Sequence, residues 1–205
     1  MRIGVIAIQG NVEEHINAIQ KAVKNADKPI EVIRIKHKGI VHGCEAIIIP
    51  GGESTTLGKL MEREGILSEI KIAAKKGVPI LGTCAGLVLL AKYGDKQVEK
   101  TKQSLLGLMD IRVNRNAFGR QKESFEVPLS FKGLDEPYKA VFIRAPCITE
   151  CGKGVEILAE YKNTIVAARQ GNVLALAFHP ELTADLRIHQ YFLKMIDKIE
   201  ITSIS

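Results

Sequence analysis

The sequence predicts an α/β fold: a doubly wound, mostly parallel sheet with helices on both faces and antiparallel additions in its second half. Two observations carry that expectation. The first half alternates short, continuous apolar runs with segments of helical periodicity, the rhythm of β-α-β units. From about Gly94 the texture changes, and short strand-like pieces follow one another directly. Ile3 to Ile8 opens the chain as a strand covered on both faces. Asn11, with Glu14 three residues later, resembles a capping box that starts a helix carrying Ile16, Ile19 and Val23 on one side. Ile30 to Ile35 and Ala46 to Ile49 read as the second and third strands. Helical segments then run to about Lys76, Gly77 is a helix stop, and Val78 to Leu81 is the next buried strand. An apolar helix is expected over Leu87 to Ala91. The later strand-like pieces are Leu105 to Val113, Phe125 to Phe131, Ala140 to Arg144, Val155 to Tyr161, Thr164 to Arg169 and Val173 to Phe178. A last helix is expected over about Ala184 to Ile199, with residues 1–205 forming one domain.

Composition narrows the function classes. With 205 residues, 46% hydrophobic and 25% charged, the chain has the make-up of a globular protein with one sizeable core. No apolar run approaches the ~20 residues of a spanning helix, and MRIGVIAIQG is too short and strand-like for a signal peptide. A cytoplasmic location without membrane attachment is therefore expected. The net charge of +6 invites a nucleic-acid reading, but the basic residues are scattered and only 10 residues are aromatic (Tyr 4, Phe 6, Trp 0). A slightly basic solvated surface is the better account, and no nucleic acid is expected as a partner. Cys44, Cys84, Cys147 and Cys151 have no zinc-like spacing, so neither a metal nor a cofactor is expected.

Three segments carry chemistry. Gly82-Thr83-Cys84-Ala85-Gly86 follows a buried strand and precedes an apolar helix, the pattern of a nucleophile elbow with Cys at its tip. Such a turn strains the backbone, and flanking glycines relieve the crowding. A buried structural Cys beside a tight turn is the plainer alternative. A nucleophile needs a base and the base needs orienting. His179 ends the last strand, and Glu181 lies two residues on in Phe178-His179-Pro180-Glu181. Alone this is compatible with a surface turn; beside the elbow it suggests a Cys-His-Glu triad. His15 lies in a helix, and His37, His42 and His189 have no comparable neighbour. Pro50-Gly51-Gly52-Glu53-Ser54-Thr55-Thr56 also follows a buried strand. Its glycines let backbone N–H groups approach a developing oxyanion. A helix start capped by Ser54 is compatible with that role. No GKS or GKT follows, which excludes a P-loop.

GTCAG, FHPE and the PGG loop together resemble the class I, triad-type glutamine amidotransferases. Finer segments are similar to those of the glutaminase subunits of pyridoxal 5'-phosphate synthase: IAIQGNVEEH, PGGESTT, GTCAGLVLLAK, NRNAFGRQKESFE, FIRAP and AFHPELT, in order along nearly the whole chain. The resemblance implies that Cys84 attacks the side-chain amide of glutamine, with His179 as base and acid and Glu181 holding its tautomer. It implies that Gly52, Glu53, Ser54, Arg115, Ile143 and Arg144 contact glutamine. Without it, Arg115 and Arg144 would read as surface charge. It implies as partner a separate synthase subunit, in a hetero-oligomeric complex, that takes the ammonia to make pyridoxal 5'-phosphate. Gln9-Gly10 and the helix after it are candidates for the coupling surface. One departure is visible: Cys147 follows FIRAP where His is more usual. The alternatives are the glutaminase of another amidotransferase, and a redox or chaperone-like protein with a Cys elbow.

Overall fold

A computed structural model of the chain describes residues 1–24, 26, 29–115, 117 and 124–196. Its central layer is a row of parallel strands: β1 (Arg2–Ile6), β2 (Glu31–Ile35), β3 (Ala46–Ile49), β4 (Ile80–Thr83) and β12 (Val173–Leu176), in the order β2-β1-β3-β4-β12. The register places Ile3 beside Ala46, Ile48 beside Leu81, and Leu81 beside Leu174. Every residue of β3, β4 and β12 is buried. That is why their runs are continuously apolar rather than alternating: each strand buries both faces, at about 1.5–3 kcal/mol per large aliphatic side chain. Helices α1 (Val12–Ala22), α2 (Ser54–Arg63) and α3 (Ile66–Lys75) connect the strands and turn apolar faces inward, Ile16 and Ile19 of α1 among them. Gly77, at φ +82°, ends α3 as expected.

Beyond β12 the sheet becomes antiparallel. β11 (Thr164–Gln170), β9 (Cys147–Cys151) and β6 (Met109–Asn114) follow in space, β5 (Ala91–Tyr93) runs parallel to β6 at the edge, and β10 (Glu156–Tyr161) pairs with β11. β7 (Ser124–Leu129) and β8 (Tyr138–Ile143) form a separate antiparallel ribbon. The remaining helices are α4 (Ala85–Leu90), α5 (Lys96–Thr101) and α6 (Arg187–Leu193). The mostly parallel sheet with antiparallel additions agrees with the sequence prediction.

Several boundaries differ, each for a local reason. The strand expected at Val78 starts two residues later, because Pro79 has no N–H to give the ladder. The run expected from Leu105 is a strand only from Met109. The N–H groups of Leu106, Gly107 and Leu108 instead satisfy the carbonyls of Leu89, Ala91 and Leu90 at the end of α4. The capping box at Asn11 does not form, since its side chain makes no capping bond. The cap of α2 is Glu53 rather than Ser54: its carboxylate accepts from the N–H groups of Thr55 and Thr56 at 3.0 and 2.7 Å. The last helix begins at Arg187, after Asp185 has bonded the Arg187 N–H and guanidinium. The expected end of that helix, 197–199, and 116 and 118–123 of the NRNAFGRQKESFE segment lie outside the described residues. Among the described residues no helix is long and apolar enough to cross a membrane.

Candidate active site

The carboxyl ends of β1, β3, β4 and β12 meet at one edge of the sheet, where open α/β folds form their crevices. Cys84 follows β4 directly and stands at the N-terminal cap of α4 with φ 49° and ψ −103°. A non-glycine residue in such a conformation costs about 1–3 kcal/mol and persists only where its surroundings fix it. Here the Cys84 N–H donates to the Leu176 carbonyl of β12 at 2.8 Å, and the thiol donates to the Ile143 carbonyl at 3.8 Å. Gly86 lets α4 lie close on β3; a Cβ there would overlap the Ile49 carbonyl.

His179 follows β12 and is anchored through its N–H to the Val141 carbonyl of β8 at 2.8 Å. Its Nδ1 donates to Glu181 Oε1 at 2.7 Å, and both side chains are buried. Pro180 begins a short 3-10 turn, Pro180–Leu182, which swings the carboxylate back beneath the imidazole. Burial alone would lower the His179 pKa, but the adjoining Cys84 and Glu181 side chains outweigh it and raise it to about 10. Burial would raise that of Glu181, but His15, His179 and the Asn11 amide hold it at about 2. Gly51 brings the PGG loop against both groups: a Cβ there would stand 2.5 Å from His179 Cε1 and 3.4 Å from Cys84 Cβ.

A cleft of about 300 Å³ opens beside Cys84, lined by Gly52, Glu53, Ser54, Ala85, Val88, Arg115, Arg144 and Pro146. All nine residues singled out in the sequence thus converge, Ile143 through its carbonyl. Arg115 is not surface charge. Its side chain is only 13% exposed, and its guanidinium donates to Glu53 Oε1 at 2.8 Å, Thr55 Oγ1 at 2.9 Å and Gln103 Oε1 at 3.2 Å. Arg144 takes a left-handed conformation, φ 44°, at the cleft wall. Glu53 is engaged by its capping bonds, which overcome the effect of burial and lower its pKa to about 2.

Sequence reasoning missed three neighbours. Gln103, in a loop without pattern, accepts from Ser54, Thr55 and Arg115 and ties the cleft wall together. Asn11 donates its amide to Glu181 Oε1 at 3.0 Å. His15, set aside as a helical residue, is fully buried with Nε2 3.4 Å from Glu181 Oε2. The spacing of Asn11 and His15, four residues apart on one helix face, was the available signal. Cys147 lies buried in β9, and burial raises its pKa.

Residues 5–198 match the model of the SNO glutamine amidotransferase family. The chain belongs to this family. It is 65% identical over 196 residues to the pyridoxal 5'-phosphate synthase subunit PdxT of Methanosarcina mazei, covering 96% of this chain and 98% of that one. It is 57% identical over 195 residues to the PdxT subunit of Archaeoglobus fulgidus, covering 95% and 98%. Among solved structures, a glutamine amidotransferase superposes with a TM-score of 0.86 at 44% identity, covering 95% of this chain and 98% of that one. PurLQS from Thermotoga maritima superposes at 0.64 with 19% identity, covering 96% and 95%, a likeness of fold. For an amidotransferase of this family the cleft has suitable chemistry. A thiol on a strained turn, an imidazole hydrogen-bonded to a carboxylate and two guanidinium-bearing residues meet at one cleft.

Proposed function

We propose that this chain is the glutaminase subunit of pyridoxal 5'-phosphate synthase, working through a Cys84-His179-Glu181 triad in one domain spanning residues 1–205. The observation that carries the reading is the 2.7 Å His179–Glu181 pair delivered by β12 beside the Cys84 elbow of β4. The names of the matched relatives support the partner, and the name of the matched family supports the substrate.

His179 takes the proton of the Cys84 thiol, the sulfur attacks the δ-carbonyl carbon of glutamine, and negative charge builds on the carbonyl oxygen. The Ala85 N–H, directly after the nucleophile, and the backbone of the PGG loop are apt donors for that charge. His179 gives its proton to the leaving nitrogen, the C–N bond breaks and ammonia departs. Water then attacks the γ-glutamyl thioester while His179 takes its proton. The C–S bond breaks, glutamate is released, and His179 returns the proton to the sulfur to restore the thiol. Glu181 fixes the imidazole tautomer and stabilises its charged form. Arg115 and Arg144 are apt for the substrate carboxylate, and Glu53 for its ammonium. Gly52, Ser54 and Ile143 complete the wall through backbone atoms. The ammonia passes to the synthase subunit, with which this chain forms a hetero-oligomeric complex in the cytoplasm. Gln9-Gly10 and α1 provide the docking face.

The test is glutamate release from glutamine, with and without the synthase subunit, for wild type and Cys84→Ala. A rate that depends on Cys84 and rises several-fold with the synthase is expected. Equal inertness of both proteins in the complex would return the elbow to a redox or scaffold role.

A further inference from the structure

Asn11 stands at the cap position of α1 and is of the residue type that caps helices, yet its side chain makes no capping bond. Its backbone, φ −78° and ψ 58°, is the centre of an inverse γ-turn closed by the Val12 N–H on the Gly10 carbonyl at 2.8 Å. That turn aims the amide inward, where it donates to Glu181 Oε1 at 3.0 Å. One helical turn further, His15 lies fully buried on the same face, with Nε2 3.4 Å from Glu181 Oε2 and 3.1 Å from Thr83 Oγ1. Asn11 therefore hydrogen-bonds one oxygen of the carboxylate, and His15 of the same helix faces the other at ion-pair distance without a hydrogen bond. Thr83 precedes the elbow cysteine, so His15 also braces β4 against the turn that carries His179.

We propose that Asn11 and His15 form a two-point clamp that positions Glu181, and through it His179, and that α1 thereby sets the geometry of the triad. The inference rests on the triad reading above. Burial lowers the pKa of His15, and the neighbouring Glu181 opposes that shift. Its Nε2 shares a hydrogen bond with Thr83 Oγ1, and its Nδ1 has no hydrogen-bond partner among the described residues. The His189 ring of α6, edge-on at 6.3 Å, is kept neutral by burial. His15, His179 and the Asn11 amide act on the carboxylate directly, and Glu14, Asn17 and Lys21 of α1 line the small cavity beside it. The Asn11 amide fixes one carboxylate oxygen without adding charge, which leaves the charge of Glu181 for the imidazole. The same segment presses on the PGG loop, since a Cβ on Gly10 would overlap the Gly51 carbonyl.

The test is steady-state glutamate release by the complex with the synthase subunit, for Asn11→Ala, His15→Leu and His15→Gln, each alone and combined with Glu181→Ala. A Gln side chain can present an N–H close to the position of imidazole Nε2. Asn11→Ala and His15→Leu are expected to lower kcat roughly tenfold with KM for glutamine unchanged, as for other residues that orient a catalytic ligand. His15→Gln restores most of the rate. In the Glu181→Ala background neither substitution lowers kcat further. Losses that multiply in that background, or a raised KM with kcat unchanged, would overturn the clamp. Asn11→Ala alters a partly exposed side chain and decides the matter if His15→Leu does not fold. Loss of the difference between wild type and Cys84→Ala would instead indict the triad itself.

Discussion

The parallel and antiparallel halves of the sheet contribute differently to one cleft. In the parallel half, strand ends point the same way, so each motif is delivered by the end of the strand before it: the PGG loop by β3, Cys84 by β4 and His179 by β12. In the antiparallel half, neighbouring strands point opposite ways and no common edge exists. Arg115 follows β6, and Ile143 and Arg144 end β8 in a separate ribbon, so these residues reach the cleft from different directions. The parallel half supplies the proposed chemistry and, through the PGG loop, one side of the cleft, while Arg115, Ile143 and Arg144 supply the other side, proposed to grip the substrate.

The sharpest way to break this division is His179→Ala. Loss of the base is expected to lower kcat by about a thousandfold or more while KM for glutamine stays near its wild-type value. Steady-state kinetics of the complex would read it, and a defect confined to KM would place His179 in the wall instead. Arg115→Ala should do the opposite, raising KM by roughly 10- to 100-fold with kcat little changed, as expected for a charge-assisted contact of about 1.5–3 kcal/mol. A fall in kcat alone would give the antiparallel half a share in the chemistry.

Packing offers a further contrast. Gly86→Ala forces a methyl group onto the Ile49 carbonyl between α4 and β3. It should destabilise the fold by about 1–3 kcal/mol, measured as a lower denaturant midpoint. The smallest effect belongs to the Glu53 cap. Glu53→Ala should cost about 1 kcal/mol at neutral pH. Because the folded pKa of Glu53 falls from 4.5 to about 2, its contribution is fully present above 4.5. It is lost as pH falls through about 2. The stability gap between wild type and Glu53→Ala should therefore close under acid, and a gap that widened would reverse the sign.

The parallel half was legible because burial on both faces writes itself as unbroken apolar runs, AIII before the PGG loop and ILGT into the elbow. Motifs placed at the ends of such runs could be assigned to one edge before any contact was known. The antiparallel half was less legible. β9, with the sequence CITEC, has no clean alternation, and it forms because β6 pairs alongside it. α5 is mostly polar and starts from the Asp95 cap, whose carboxylate binds the N–H groups of Gln97 and Val98. Gln103 reaches Ser54 across 49 residues of sequence, a contact that local periodicity does not encode. The roles of Asn11 and His15 were hidden by their very ordinariness: an Asn at a helix start reads as a cap, and a lone buried His as core.

The 2.8 Å bond from the Cys84 N–H to the Leu176 carbonyl also ties the elbow to a strand far along the chain. β4 emerges from the ribosome with β3 available on one side, but its other neighbour, β12, is about ninety residues away along the chain. Until β12 arrives, the elbow lacks the tether that holds its unfavourable backbone angle, and the residue meant to draw its proton has not been made. Parallel pairing across such a separation closes late, after the local helices. A chain ending before Val173 would therefore carry the thiol without the strand that tethers its turn or the residue proposed as its base.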